Sequence, residues 1–156
     1  LPGGEVLIDS AAILDHLDEM AGPRALIPAS GPERRPVLQM TALAQGTFEK
    51  ALAVIYERHF HPPAHHSAPW LARCMSQTRA GLAHLATRLS APYACGADLT
   101  HADVMITTLI WYLTERLPEV LDTTAHAPLI ALAARCETLP AFRAAALSAV
   151  ETMPNA

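Results

Sequence analysis

The sequence predicts a mainly α protein, a bundle of about five helices preceded by a short strand and helix. Three observations carry this prediction. Apolar residues make up 51% of the chain and charged residues 17%, with alanine and leucine dominant and aromatics only 5%. That balance is globular and favours helices over strands. Apolar residues recur at three- to five-residue spacing along most of the 156 residues, enough chain for one domain with a real core. Finally, Thr100-His101-Ala102-Asp103 has the spacing of a capping box, which marks a helix start.

The elements follow in order. Pro2-Gly3-Gly4 is a turn signal, and Glu5-Val6-Leu7-Ile8 is a short apolar run. The run is readable as the second strand of a hairpin cut by the start of the chain, or as a frayed terminus. Asp9-Ser10 precedes Ile13, Leu14, Leu17 and Met20, which share a helical face, and either residue can serve as N-cap. Gly22-Pro23 ends that helix, and the prolines and glycine up to residue 32 form a linker. A long helix is expected over about 33–60, with Pro36 in its first turn and Leu38, Leu43, Phe48, Leu52, Ile55 and Tyr56 as its apolar residues. A histidine- and proline-rich loop follows at 61–66. The next helix, about 68–89, has Trp70, Leu71, Met75, Leu82, Leu85 and Leu89 on its apolar side. After a connection over 92–99, Thr100 caps a helix with Leu99 and Val104 placed as a hydrophobic staple. Residues 104–113 are apolar nearly all round, so this helix is expected at the centre of the bundle. Pro118 closes it. Shorter helices over about 128–137 and 141–150 finish the chain, with Pro140 at the first turn of the last.

Composition also narrows the function classes. The net charge is −4 with no lysine or arginine block, so no nucleic-acid footprint is expected. Cys74, Cys95 and Cys136 are widely spaced and odd in number. They read as reduced, inert thiols of a cytosolic protein. The opening residues have neither the basic region nor the apolar core of a signal peptide. The most apolar stretch, 104–113, is too short to span a bilayer. His59, His61, His65 and His66 crowd one loop. Prolines separate them and no Cys or carboxylate partner sits at ligand spacing, so they read as a solvated loop and no metal is expected. Glu49-Lys50 and Glu57-Arg58 read as solvated helix charges.

The order of these features resembles the glutathione transferase family. The stretch 5–18 looks like the fourth strand and third helix of that family's thioredoxin-like domain. Leu26-Ile27-Pro28 looks like the inter-domain linker. Residues 35–57, including Ala42-Leu43-Ala44-Gln45-Gly46, look like the first helix of the helical domain in bacterial members. Gly96-Ala97-Asp98-Leu99-Thr100-His101-Ala102-Asp103 looks like the buried capping box, with Thr100 and Asp103 as its structural pair. Leu139-Pro140-Ala141-Phe142 looks like the late Pro-x-Phe element. The resemblance implies the end of a thioredoxin-like domain over 1–22, a linker over 23–32 and an all-helical domain over 33–156.

It also implies a reaction: the glutathione thiolate attacks an electrophilic centre of a hydrophobic small molecule. The Ser, Tyr or Cys that lowers the thiol pKa would lie upstream of Leu1, so no catalytic residue is assigned within the chain. Asp9 and Ser10 are the expected contacts to the γ-glutamyl end, where a helix N-terminus favours a carboxylate. Asp9 departs from the family's more usual Glu or Gln, and Ser10 has a second reading as a helix cap alone. Phe48, Leu52, Tyr56, Trp111 and Tyr112 are substrate-site candidates, with plain core as their other reading. A cytoplasmic homodimer is implied for the full-length protein. The second reading is a non-catalytic helical module for protein binding or assembly.

Overall fold

The computed structural model describes residues 1–146, and these form six α-helices. They are α1 (Ser10–Ala21), α2 (Arg34–Phe60), α3 (Ala68–Arg88), α4 (His101–Arg116), α5 (Ala127–Glu137) and α6 (Pro140–Ala144). The mainly α bundle read from the sequence is the observed fold. The final helix, expected over 141–150, ends at Ala144, and residues 147–150 lie outside the described part. Among the described residues, no helix is long and apolar enough to cross a membrane.

The strand expected at residues 5–8 is not formed. Val6 and Ile8 are almost fully exposed. A strand is held by hydrogen bonds to a neighbour, and no described segment runs alongside this one. The N-cap of α1 is Asp9, whose Oδ1 accepts the Ala11 amide at 2.8 Å. The helix buries none of its residues fully, and Ile13, Leu17 and Met20 remain exposed. It stops at Gly22, whose φ of 57° suits a residue without a Cβ. What ties α1 to the rest is Asp18. Its two carboxylate oxygens accept the Leu26 and Ile27 amides at 2.8 and 2.9 Å.

The core is built where α2 crosses α3 and α4 packs between α2 and α5. The buried seam of α2 is Val37, Met40, Ala44, Thr47, Ala51, Val54 and Ile55. From Val37 to Val54 it alternates steps of three and four residues, as a packed helix pair requires, and Ile55 widens it at the end. This corrects the face read from the sequence. Leu38 and Tyr56 are exposed, and Leu43, Phe48 and Leu52 flank the seam. Large side chains dominate a reading by hydropathy, whereas the middle of the seam is Ala44, Thr47 and Ala51, all small. Its centre is the approach of α3 at Gly81. A Cβ there would overlap Thr47 Oγ1 and stand 3.0 Å from Thr47 Cβ and Cγ2. The Thr47 hydroxyl donates to the Leu43 carbonyl at 2.7 Å, so it is satisfied within its own helix. Trp70 is a second correction. It sits in the first turn of α3, ahead of that helix's buried residues (Cys74, Thr78, Leu82 and Leu85), and it is exposed.

The central helix α4 buries Ile106, Leu109, Ile110 and Leu113. Both halves of the Thr100–Asp103 capping box are present. Asp103 is fully buried. Its Oδ2 accepts both the Thr100 amide and the Thr100 hydroxyl at 2.8 Å, and its Oδ1 accepts the Ala94 amide at 2.6 Å. One carboxylate therefore fastens the preceding loop to the central helix.

Gly81→Ala is expected to lower unfolding free energy by about 1–3 kcal/mol through overpacking against Thr47. The double variant Thr47→Ala/Gly81→Ala should recover most of that loss in urea unfolding. Gly46→Ala, where an added Cβ meets nothing within 4 Å, should instead gain about 0.5–1 kcal/mol of helix propensity. Asp103→Ala strands two buried amides and is expected to cost about 3 kcal/mol or more. An unchanged urea midpoint for Asp103→Ala would remove the carboxylate from its structural role.

Candidate functional site

A groove of about 410 Å³ opens between α1, the linker, α2 and α4. The volume lies in the range of small-molecule sites. Its apolar walls include Leu14 and Ile27 on one side, with Phe48, Leu52 and Met105 on the other. Ser10 also lines it, and Asp15, Arg34 and Glu49 contribute charge. The Arg34 guanidinium donates to the Pro28 carbonyl at 2.8 Å, which fixes the linker against α2. The bulky residues that α2 does not spend on its seam thus form the wall of this groove.

The structure sorts the residues singled out in the sequence. Ser10, Phe48 and Leu52 come together in the groove. Asp9 caps the helix beside Ser10 without lining the groove. Tyr112 is buried behind the wall and meets Phe48 edge-on, with ring centroids 4.9 Å apart. Burial pushes the Tyr112 phenol up, Tyr56 adds to this, and Arg116 opposes it. Tyr56 is exposed and packs on Phe60 with centroids 5.5 Å apart. Trp111 points elsewhere, into a larger apolar cavity of about 620 Å³ between α4, α5 and α6. The five hydrophobic candidates therefore do not form one site.

Asp9 has a second distinguishing feature. Its φ of 74° is the one positive value at a non-glycine position among the described residues. Such conformations cost about 1–3 kcal/mol and cluster at functional sites.

Two residues of the groove were missed in the sequence. His101 is buried, and its amide donates to the Leu26 carbonyl at 3.1 Å. Thr41 lines the same groove from α2. Their only sequence signal is a polar side chain beside an apolar run. Burial pushes the His101 imidazole below its ordinary value, while the Asp18 carboxylate acts in the opposite direction.

The thiols and the histidine loop lie apart from this groove. Cys74 and Cys136 are buried and Cys95 is half-buried. Burial pushes the Cys95 and Cys136 thiols up, and the Asp103 charge adds to this. In the histidine loop, His61 Nδ1 lies 3.2 Å from Glu57, and Glu57 accepts the Ser67 amide at 2.8 Å. That amide bond is the main reason the Glu57 carboxyl is held below its usual range. Among the described residues, no group of three or more His, Cys, Asp or Glu is placed to hold a metal ion. Arg58 pairs with Glu119, so this helix charge bridges α2 to the turn after α4.

Residues 68–145 match the family model of the glutathione S-transferase C-terminal domain. The chain belongs to the glutathione S-transferase family. A glutathione S-transferase from Methylobacterium radiotolerans, solved in complex with glutathione sulfonate, is 30% identical. The match covers 92% of this chain and 68% of that one, with a TM-score of 0.84. A family member from Pseudomonas fluorescens with bound S-(propanoic acid)-glutathione is also 30% identical, over 92% of this chain and 73% of that one, with a TM-score of 0.84. A glutathione S-transferase from Methylobacillus flagellatus with glutathione bound shares the fold at 24% identity and a TM-score of 0.86, over 94% of this chain and 72% of that one. No curated protein matches the chain.

His101 gives the site a pH signature. A histidine whose folded pKa is depressed binds fewer protons folded than unfolded. Its stabilising contribution is complete above the unfolded value of about 6.5 and is lost as pH falls through the folded value. The His101 imidazole is expected to titrate below about 6.5 by NMR. His101→Leu should make the stability loss between about pH 7 and 5 shallower. A midpoint above the ordinary value would contradict the burial argument.

Proposed function

We propose that this chain supplies the helical half, and one edge of the glutathione site, of a transferase that joins the glutathione thiolate to hydrophobic electrophiles. The observation that carries the reading is the meeting of Ser10, at the N-terminus of α1, with the apolar wall of Phe48 and Leu52. The first turn of α1 offers amides and partial positive charge to the γ-glutamyl carboxylate. The Ser10 hydroxyl would add a donor, and the Asp9 carboxylate at the cap would meet the ammonium. Glutathione or its derivatives are bound in the similar proteins from Methylobacterium radiotolerans and Pseudomonas fluorescens, which supports the same ligand here.

In this reading, the thiol-activating donor belongs to a thioredoxin-like segment that packs on the exposed apolar face of α1. The 156 residues by themselves would then bind glutathione weakly and conjugate nothing. The full protein would act as a cytoplasmic homodimer in the clearance of reactive compounds. Residues 1–22 would close the thioredoxin-like domain, 23–32 would link, and 33–156 would form the helical domain. The alternative, a non-catalytic assembly module, draws on the same exposed face of α1.

The test is calorimetric titration of the chain with glutathione. Ser10→Ala is expected to weaken binding about tenfold, the worth of one hydrogen bond to a charged group. Binding that is absent at millimolar glutathione, or untouched by Ser10→Ala, would sink the assignment of this edge. Conjugation of 1-chloro-2,4-dinitrobenzene by these 156 residues alone would overturn the division of labour.

A further inference from the structure

Two buried polar atoms border the same groove without a partner. His101 is 7% exposed, and its Nε2 is sealed from solvent with no hydrogen-bond partner among the described residues. Thr41 Oγ1 is in the same condition. One residue comes from α4 and the other from α2, and both line the groove. Most buried polar atoms in folded proteins are partnered, because desolvation without a replacement bond is unfavourable. Valine and leucine would pack these two positions without that cost.

We propose that Thr41 and His101 form a polar pair that selects, among apolar small molecules entering the groove, those carrying a neutral acceptor oxygen such as a carbonyl. This rests on the groove being the ligand site described under Proposed function. Both residues border the groove, so a turn of either side chain toward it brings the unpartnered atom to a ligand there. A neutral imidazole offers one N–H and a threonine one O–H, and a carbonyl oxygen has two lone pairs to take both. Burial favours the neutral imidazole. The charges around the groove also point to a neutral ligand. Asp15 and Glu49 outnumber Arg34, and the Arg34 guanidinium is already engaged by the Pro28 carbonyl. Asp18, from α1, is the charged group nearest in effect to His101 and is itself occupied by the Leu26 and Ile27 amides. The remaining wall, with Phe48, Leu52 and Met105, accepts an apolar body.

The experiment compares two fluorescent probes on the full chain. Prodan is a neutral naphthalene carrying a ketone, and N-phenyl-1-naphthylamine is a neutral apolar probe without an acceptor oxygen. Both are expected to bind, and Phe48→Ala should weaken both alike, which places them in the groove. Thr41→Val and His101→Leu should each weaken Prodan about five- to tenfold, the size of one hydrogen bond. The same variants should leave N-phenyl-1-naphthylamine within about twofold, since it makes no such bond. His101→Gln keeps an N–H and should retain most of the Prodan affinity. Bound Prodan should emit further to the red in the wild type than in His101→Leu, because the bond to its carbonyl is lost in the variant. Equal losses for both probes, or none, would overturn the polar pair while leaving the groove standing. Failure of N-phenyl-1-naphthylamine to bind, with Phe48→Ala without effect on Prodan, would overturn the groove and the pair together. If His101→Leu does not fold, the near-isosteric Thr41→Val decides the matter by the same comparison.

Discussion

The buried carboxylate of Asp103 is the constraint on which the site depends. It holds the Ala94 and Thr100 amides and the Thr100 hydroxyl at once, so the central helix starts at one defined residue. That start places the next residue, His101, with its amide on the Leu26 carbonyl. Leu26 and Ile27 in turn give their amides to Asp18, and Asp18 lies on α1. A chain of hydrogen bonds, two of its links side-chain carboxylates, therefore runs from the core to the helix that carries Ser10. Since α1 buries no residue fully, these directional bonds take over from apolar packing in setting its position. Such bonds contribute little net stability one by one, yet they are unfavourable to break when buried.

A second constraint decides which residues face the groove. The close approach of Gly81 to Thr47 requires small side chains where α2 meets α3. Ala44, Thr47 and Ala51 supply them. The largest apolar residues in the middle of α2 lie on the neighbouring face instead. There, Leu38, Phe48 and Leu52 meet α1 and α4 across the groove. Packing density in one interface thus generates the apolar wall of the other, and the two faces are not independent choices of sequence.

This also explains which features were legible in the sequence. The capping box was readable because its three-residue spacing encodes local hydrogen bonds. The helix limits were readable because Pro36, Gly22 and Pro140 act on the backbone directly. The seam of α2 is hidden from a reading by hydropathy, because large apolar side chains dominate such a pattern while the contact with α3 at Gly81 requires a small one at Thr47. The strand at 5–8 failed because a strand is defined by a partner, and a single segment cannot supply one. Ser10, Phe48 and Leu52 were named from a resemblance, and the fold brings them together. Trp111 and Tyr56 were named with them, but a helix carries neighbouring residues to different faces, and the 3.6-residue turn separates Trp111 from the groove. His101 and Thr41 had no sequence signal strong enough to single them out. Their condition, buried and unpartnered, exists only once α2 and α4 are assembled.

The chemistry at the start of α1 is better matched to a zwitterion than to a simple anion. A bare helix N-terminus suits phosphate or sulfate, because its partial charge is positive throughout. Here Asp9 caps the helix with its own carboxylate and already takes the Ala11 amide. Its negative charge offsets much of the attraction for an anion. The Ser10 hydroxyl remains beside it as a neutral donor. An amino-acid end group presents an ammonium and a carboxylate on adjacent atoms, so it can use the acidic cap and the remaining donors together. The backbone at Asp9, with φ 74° and ψ 134°, holds the capping residue in a conformation uncommon outside glycine. Under the proposed function, this one short turn would meet both charges of the γ-glutamyl group.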